Sequence, residues 1–260
     1  GSATHLAPAD LAALCQNLQT LAAAPASRQH EIRRALLQYL DPHSHLPSPI
    51  AAGEPEAQSL LSRHGIAADA DLLFFAELMQ VSERRSQYWQ GRGLRLLGLA
   101  LAINETDGRP EEPAQLAAAV CLHDLGMAFL PLGLLHKAER LNREERQQIQ
   151  SHPRLAFDLL RRMPDWATAG EIVLQHQEHA DGSGYPKGLK EVEITPGALI
   201  LNIVDTFDAR THERAHQTLS KRPLLRAILE INGLAGSQFS AHWVEVFNRT
   251  LQRHPELAHR

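Results

Sequence analysis

The sequence predicts an all-α fold, a multi-helix bundle with a small N-terminal helical segment. Three observations carry that expectation. Aromatic residues make up only 5% of the chain while leucine and alanine are abundant, a mix that favours helices over a β-sandwich. Apolar residues recur at helical spacing along most of the length. No stretch shows the strict alternation that a ladder of half-buried strands requires.

The elements follow in order. Residues 9–24 carry Leu11, Leu14, Cys15, Leu18 and Leu21 on one helical face, and residues 28–40 repeat the pattern with Ile32, Leu36, Leu37 and Leu40. The proline-rich stretch DPHSHLPSPIAAGEP, residues 41–55, is a loop or linker. A short helix over 56–64 ends at Gly65. This sets a boundary near residue 68, good to about four residues, between an N-terminal segment (1–68) and the main unit (69–260). One or two helices fill 70–104, with a break expected near Gly91–Gly93. Pro113 suits the first turn of a helix that carries Ala117, Val120, Cys121 and His123 and ends at Gly126. Further helices are expected at 142–162, 166–179, 194–212, 222–232 and 239–253.

Composition narrows the function classes. The chain has 260 residues, is 43% hydrophobic and carries a formal charge of −4. This suits a globular protein with a real core and gives no electrostatic reason to expect a nucleic acid polymer as partner. The longest apolar run, around Leu94–Ile103, contains Arg95 and is too short to span a bilayer. No membrane partner and no signal peptide are expected. Cys15 and Cys121 form no CxxC motif, so reduced thiols and a cytoplasmic location are the expectation.

The chemistry lies among the fifteen histidines. His123-Asp124 pairs an imidazole with a carboxylate, though capping of a helix end explains it equally well. His152 precedes Pro153 and an apolar helical pattern, where a helix start is the plain alternative. His176 lies on the helix GEIVLQHQEH, where it can also serve the helix dipole. Asp205 sits in the apolar run ILNIVDTFDA. A carboxylate there is costly to bury without a cation or donors, so it asks for a partner. Asp208, three residues on, is the expected exposed one of the two. Together His123, Asp124, His152, His176 and Asp205 suit one or two first-row divalent ions, able to activate water and polarise a phosphate ester.

That ligand order resembles the HD superfamily of metal-dependent phosphohydrolases, and the loop DGSGYP (181–186) resembles the hallmark of its HD-GYP branch. The likeness spans roughly residues 70–255. It includes HDLG (123–126), HP (152–153), H-x-E-x-x-DGSGYPKGL (176–189), D-x-F-D-A (205–209) and the late turn GSQFS (236–240). The resemblance implies hydrolysis of cyclic di-GMP, with iron or manganese as the expected metal and magnesium, nickel or zinc as further candidates. Asp124 would bridge two cations and take the catalytic role. Tyr185 and Arg214 would contact substrate. Glu178 and Asp181 would orient the histidines. The branch also implies contact with a GGDEF-type diguanylate cyclase. Oligomeric state is open, a dimer included.

The chain departs from the family pattern at several positions. Gln177 replaces the second of two adjacent histidines. Ser86 stands where an early histidine ligand is expected, and VSERRSQYWQGRG holds no histidine. Met127 replaces a lysine that would face phosphate, and Gln217 replaces a second cation after Arg214. Two functions follow. One is an active phosphodiesterase, weakened by these changes. The other is a degenerate member that senses cyclic di-GMP or docks a protein. Turnover with added Mn²⁺ or Fe²⁺ separates them.

Overall fold

The computed structural model describes residues 54–83, 91–125, 139–150, 163–212 and 224–258. Isolated positions at 23–25, 28, 134, 137, 156–157 and 160–161 are also described. Among these residues the chain forms nine α-helices: α1 (Glu54–Arg63), α2 (Ala70–Glu83), α3 (Arg92–Thr106), α4 (Pro113–Leu122), α5 (Arg143–Gln150), α6 (Ala167–Gln175), α7 (Pro196–Thr211), α8 (Leu224–Gly233) and α9 (Ala241–Arg253). Three short 3₁₀ turns accompany them. Two isolated β-bridges, Asp181 with Lys190 and Ala235 with Phe239, are the only β pairing among the described residues, so the all-α expectation holds. The 9–24 and 28–40 patterns lie almost entirely outside the described residues.

The expected break in the 70–104 pattern falls between α2 and α3. Gly91 takes a left-handed φ of 74° just before α3, a conformation open to glycine at little cost. The half-buried Glu83 then accepts the Gly91 and Gly93 amides, at 3.2 and 2.5 Å, and so fixes the entry of α3.

α4 sits at the centre. Its AAAVCL stretch is buried throughout, and these small side chains let α2, α3 and α6 pack closely around it. Pro113 occupies the first turn, and Glu112 caps the helix by accepting the Gln115 amide at 2.9 Å. Cys121 belongs to this core, and burial, followed by the charge of Glu83, pushes its thiol up to about 12. α7 packs against α3, α6, α8 and α9. Its start is tied to α3 by the buried Glu111, which accepts the Gly197 amide at 2.9 Å while its backbone pairs with the Asn104 amide group. α1 adds Ala57, Leu60 and Leu61 to the same core cluster.

The expected 166–179 helix is shorter than the pattern suggested. α6 ends at Gln175, with His176 as its C-cap, and the chain then turns into the DGSGYP loop. Likewise α4 ends at Leu122 with His123 as C-cap, before Gly126.

Candidate functional site

The two C-caps are built alike. In both VCLH and VLQH, the histidine turns its Nδ1–H back to the carbonyl three residues earlier. His123 donates to Val120 O and His176 to Val173 O, each at 2.6 Å. A carbonyl only accepts, so each ring carries its proton on Nδ1 and presents the Nε2 lone pair to the interior. The rings meet edge to face with centroids 5.2 Å apart, and both side chains are buried. Nε2 of His123 is buried without a hydrogen-bond donor, 3.3 Å from Asp124 Oδ2. Burial favours the neutral His123 ring, but the nearby Asp124 charge outweighs it and raises the pKa above the ordinary imidazole value, so Nε2 offers its lone pair only above that raised value.

α7 delivers Asp205 to the same place. One ligand atom each from His123, Asp124 and Asp205 lies within 4.8 Å of the others. An imidazole lone pair without a donor beside two carboxylates is a fitting donor set for a divalent cation. His176 adjoins this set through its ring. Its Nε2 lies 3.3 Å from the Gln177 side-chain nitrogen, so the amide donates where the expected second histidine would have coordinated.

The sequence reading missed the residue that α3 sends into the site. Ser86 lies outside the described residues, as do Met127, His152 and Arg214. Arg92, the first residue of α3, does reach the site. It is only 7% exposed, and its two terminal nitrogens bond separately to Asp124 and Asp205. Burial opposes its charge, but the Asp124, Asp205 and Asp208 carboxylates outweigh burial and raise its pKa further. A sequence signal existed: an arginine opening a helix that carries the apolar run LLGLALA (96–102) needs a buried partner as much as Asp205 does.

Two further expectations are corrected. Asp208 is the more buried of the α7 pair, because Arg95 bonds it through Nε at 2.8 Å and a terminal nitrogen at 3.3 Å. For Glu178 and Asp181, expected to orient the histidines, the described side-chain hydrogen bonds lie within the loop, while the Nδ1 groups of His123 and His176 meet backbone carbonyls. The buried Glu178 instead accepts the Lys187 and Leu189 amides at 2.6 and 2.8 Å and closes the loop. The exposed Asp181 accepts the Ser183 amide and hydroxyl within the turn.

The loop is packed backbone on backbone at Gly184, where a Cβ would stand 2.3 Å from His179 N and 2.5 Å from Gln177 O. The late GSQFS turn braces it: the Ala180 and Asp181 amides donate to Gln238 O and Ser237 O at 3.1 and 3.0 Å. Tyr185 is half-buried, and its pKa is raised by burial and then by the charges of Asp205 and Asp124, so the phenol sits in their field and keeps its proton.

A helical bundle that brings an imidazole and two carboxylates together, with a glycine-rich loop following a second buried histidine, is the arrangement of the HD-domain class. The chain belongs to the HD-domain family, whose model matches residues 76–240, and its likeness within that family is to the HD-GYP type. It is 38% identical over 173 residues to a cyclic di-GMP phosphodiesterase of Thermotoga maritima, covering 65% of this chain and 46% of that protein. It is 28% identical over 159 residues to a 3'3'-cGAMP-specific phosphodiesterase of Vibrio cholerae, covering 59% of this chain and 34% of that one. The chain thus spans less than half the length of these relatives. Among solved structures, an HDG"Y"P protein from Bdellovibrio bacteriovorus shares the fold, with a TM-score of 0.52 at 17% identity, covering 94% of this chain and 70% of that one.

Proposed function

We propose that the chain is the hydrolytic unit of an HD-GYP-type, metal-dependent phosphodiesterase acting on cyclic di-GMP or a related cyclic dinucleotide. The observation that carries this reading is the convergence of His123, Asp124 and Asp205 within 4.8 Å beside the loop that holds Tyr185. His123, Asp124 and Asp205 would hold one cation, and Asp124, His152 and His176 a second. Iron or manganese is the expected metal, with magnesium, nickel or zinc also compatible with such donors. When bound, the metal polarises a phosphoryl oxygen and lowers the pKa of its water.

The chain's own groups prepare for that chemistry. Anchoring of both Nδ1–H groups fixes which imidazole nitrogen is the ligand. The protonated Tyr185 phenol can donate to an anionic substrate at the mouth of the site. Arg214 is proposed as a phosphate contact, and Met127 and Ser86 mark positions where the family's charge or ligand is lost. Residues 1–68 are proposed as an N-terminal helical segment of unassigned role beside the 69–260 unit.

A second reading is favoured by Gln177, whose amide stands against His176 Nε2, and by Arg92, which bonds the Asp124 and Asp205 carboxylates. In it the chain binds a cyclic dinucleotide without cleaving it, or docks a GGDEF-type partner. A cytoplasmic setting without a membrane or nucleic acid polymer as partner is part of the proposal; no helix among the described residues is long and apolar enough to cross a membrane. A dimer is compatible with both readings. The test is incubation of the purified chain with cyclic di-GMP and Mn²⁺ or Fe²⁺. Linear pGpG or GMP is the expected product. Saturable binding without product would replace the first reading by the second.

A further inference from the structure

Arg92 occupies a position that the metal chemistry also needs. Its fork is spent on one oxygen of Asp124 and one of Asp205, while Nε has no hydrogen-bond partner and stands 3.9 Å from Asp208 Oδ2. The same two carboxylates supply two of the three convergent donors. A planar guanidinium matches a pair of carboxylates, and it cannot lose its charge by deprotonation. Its backbone is held as well. Glu83 pins the amides on either side, at Gly91 and Gly93, and a Cβ at Gly93 would stand 2.1 Å from Met79 sulfur. Arg95, one turn on, engages Asp208 and leaves Arg92 to the other two carboxylates.

We propose that Arg92 is a built-in counter-cation of the Asp124–Asp205 pair and holds that subsite closed to divalent metal until the guanidinium is displaced. The inference rests on the reading of the pocket as an HD-GYP-type centre and adds what controls its loading. Both cations need the same two carboxylates, and their like charges exclude each other at contact distance. Metal uptake here is therefore set by competition with a tethered cation rather than by a shortage of ligands. Gln177 repeats the device at His176, with an amide donor against the ligand nitrogen.

The test is Mn²⁺ titration of the whole chain, followed by calorimetry and by the Mn²⁺ paramagnetic resonance signal, with elemental analysis of the purified protein. Arg92→Gln removes the charge, and Arg92→His also supplies an imidazole. Both should bind Mn²⁺ at least about tenfold tighter than the unaltered chain, and Asp205→Asn should abolish the gain. Thermal melts in EDTA give a second reading. There Asp205→Asn should lower Tm, because Arg92 loses a partner, whereas loss of a plain metal ligand would leave the metal-free Tm unchanged or raised. Should the Arg92 variants not fold, the unaltered chain still decides: Mn²⁺ at about 1 mM should raise its Tm by no more than about 1 °C, because the closed subsite fills only weakly at that concentration.

Equal Mn²⁺ affinity in all folded variants would overturn the proposal, as would tight stoichiometric Mn²⁺ in the unaltered chain. In the latter case the phosphodiesterase reading stands. If instead Arg92→His gains metal while neither chain binds or cleaves cyclic di-GMP, Arg92 keeps its role and the functional reading falls.

Discussion

The two halves of the site are held together in opposite ways. In the 177–191 loop, the acidic side chains find partners 2 to 11 positions away: Glu178 takes the amides of Lys187 and Leu189, and Asp181 takes Ser183. At the carboxylate end, Arg92 reaches Asp124 and Asp205, 32 and 113 positions away. The loop's side-chain clamps are thus mostly local, with a main-chain brace from the 237–238 turn. The carboxylate end depends on the whole bundle to balance its charges. A chain can keep the first intact while the second changes its cation.

The comparison breaks most visibly at Glu178. Glu178→Ala leaves two loop amides without their acceptor and should cost about 3 kcal/mol in chemical denaturation. The loss should persist in EDTA, because the clamp is made of protein alone. A loss seen only with metal present would mean that the loop is not self-contained. Gly184→Ala comes next. Its Cβ would run into fixed backbone rather than a flexible side chain, so a cost of about 2 kcal/mol is expected, with tyrosine fluorescence reporting displacement of Tyr185.

The smallest effect concerns pH. Burial holds His179 below the ordinary imidazole value of 6.5, against the opposing charges of Asp181 and Glu178. The unfolded chain therefore binds this proton more readily. His179 costs no stability above the ordinary value, and stability is lost as pH falls from 6.5 through the lowered folded value. His179→Asn should flatten the fall in Tm across that window by about 1–2 °C. An unchanged profile would show that the loop's charges do not sense its packing.

The same contrast decides what the sequence disclosed. The helices were legible because apolar spacing is a local signal, and so were α4 and α7, each with a proline in its first turn. The loop was legible because its glycines and its Glu178 lie together. Placing His123, Asp124 and Asp205 in one pocket came from motif order, not from any local force. The partners of Arg92 carried no local signal, because they lie 32 and 113 positions away in sequence. The early end of α6 was hidden by the helical spacing of Val173, His176 and Ala180, although the histidine turns back onto its own helix and closes it. Asp208 was misplaced because Arg95 counted as an interruption of an apolar run rather than as a partner.

The brace between the loop and the GSQFS turn has a practical outcome for anyone trimming the protein. Because two main-chain bonds join residues 180–181 to 237–238, a fragment that stops at the end of α8 would contain every residue of DGSGYP and still lack the wall against which it is formed. The hallmark is in that sense a two-part object, and its second part is written more than fifty positions downstream of the first.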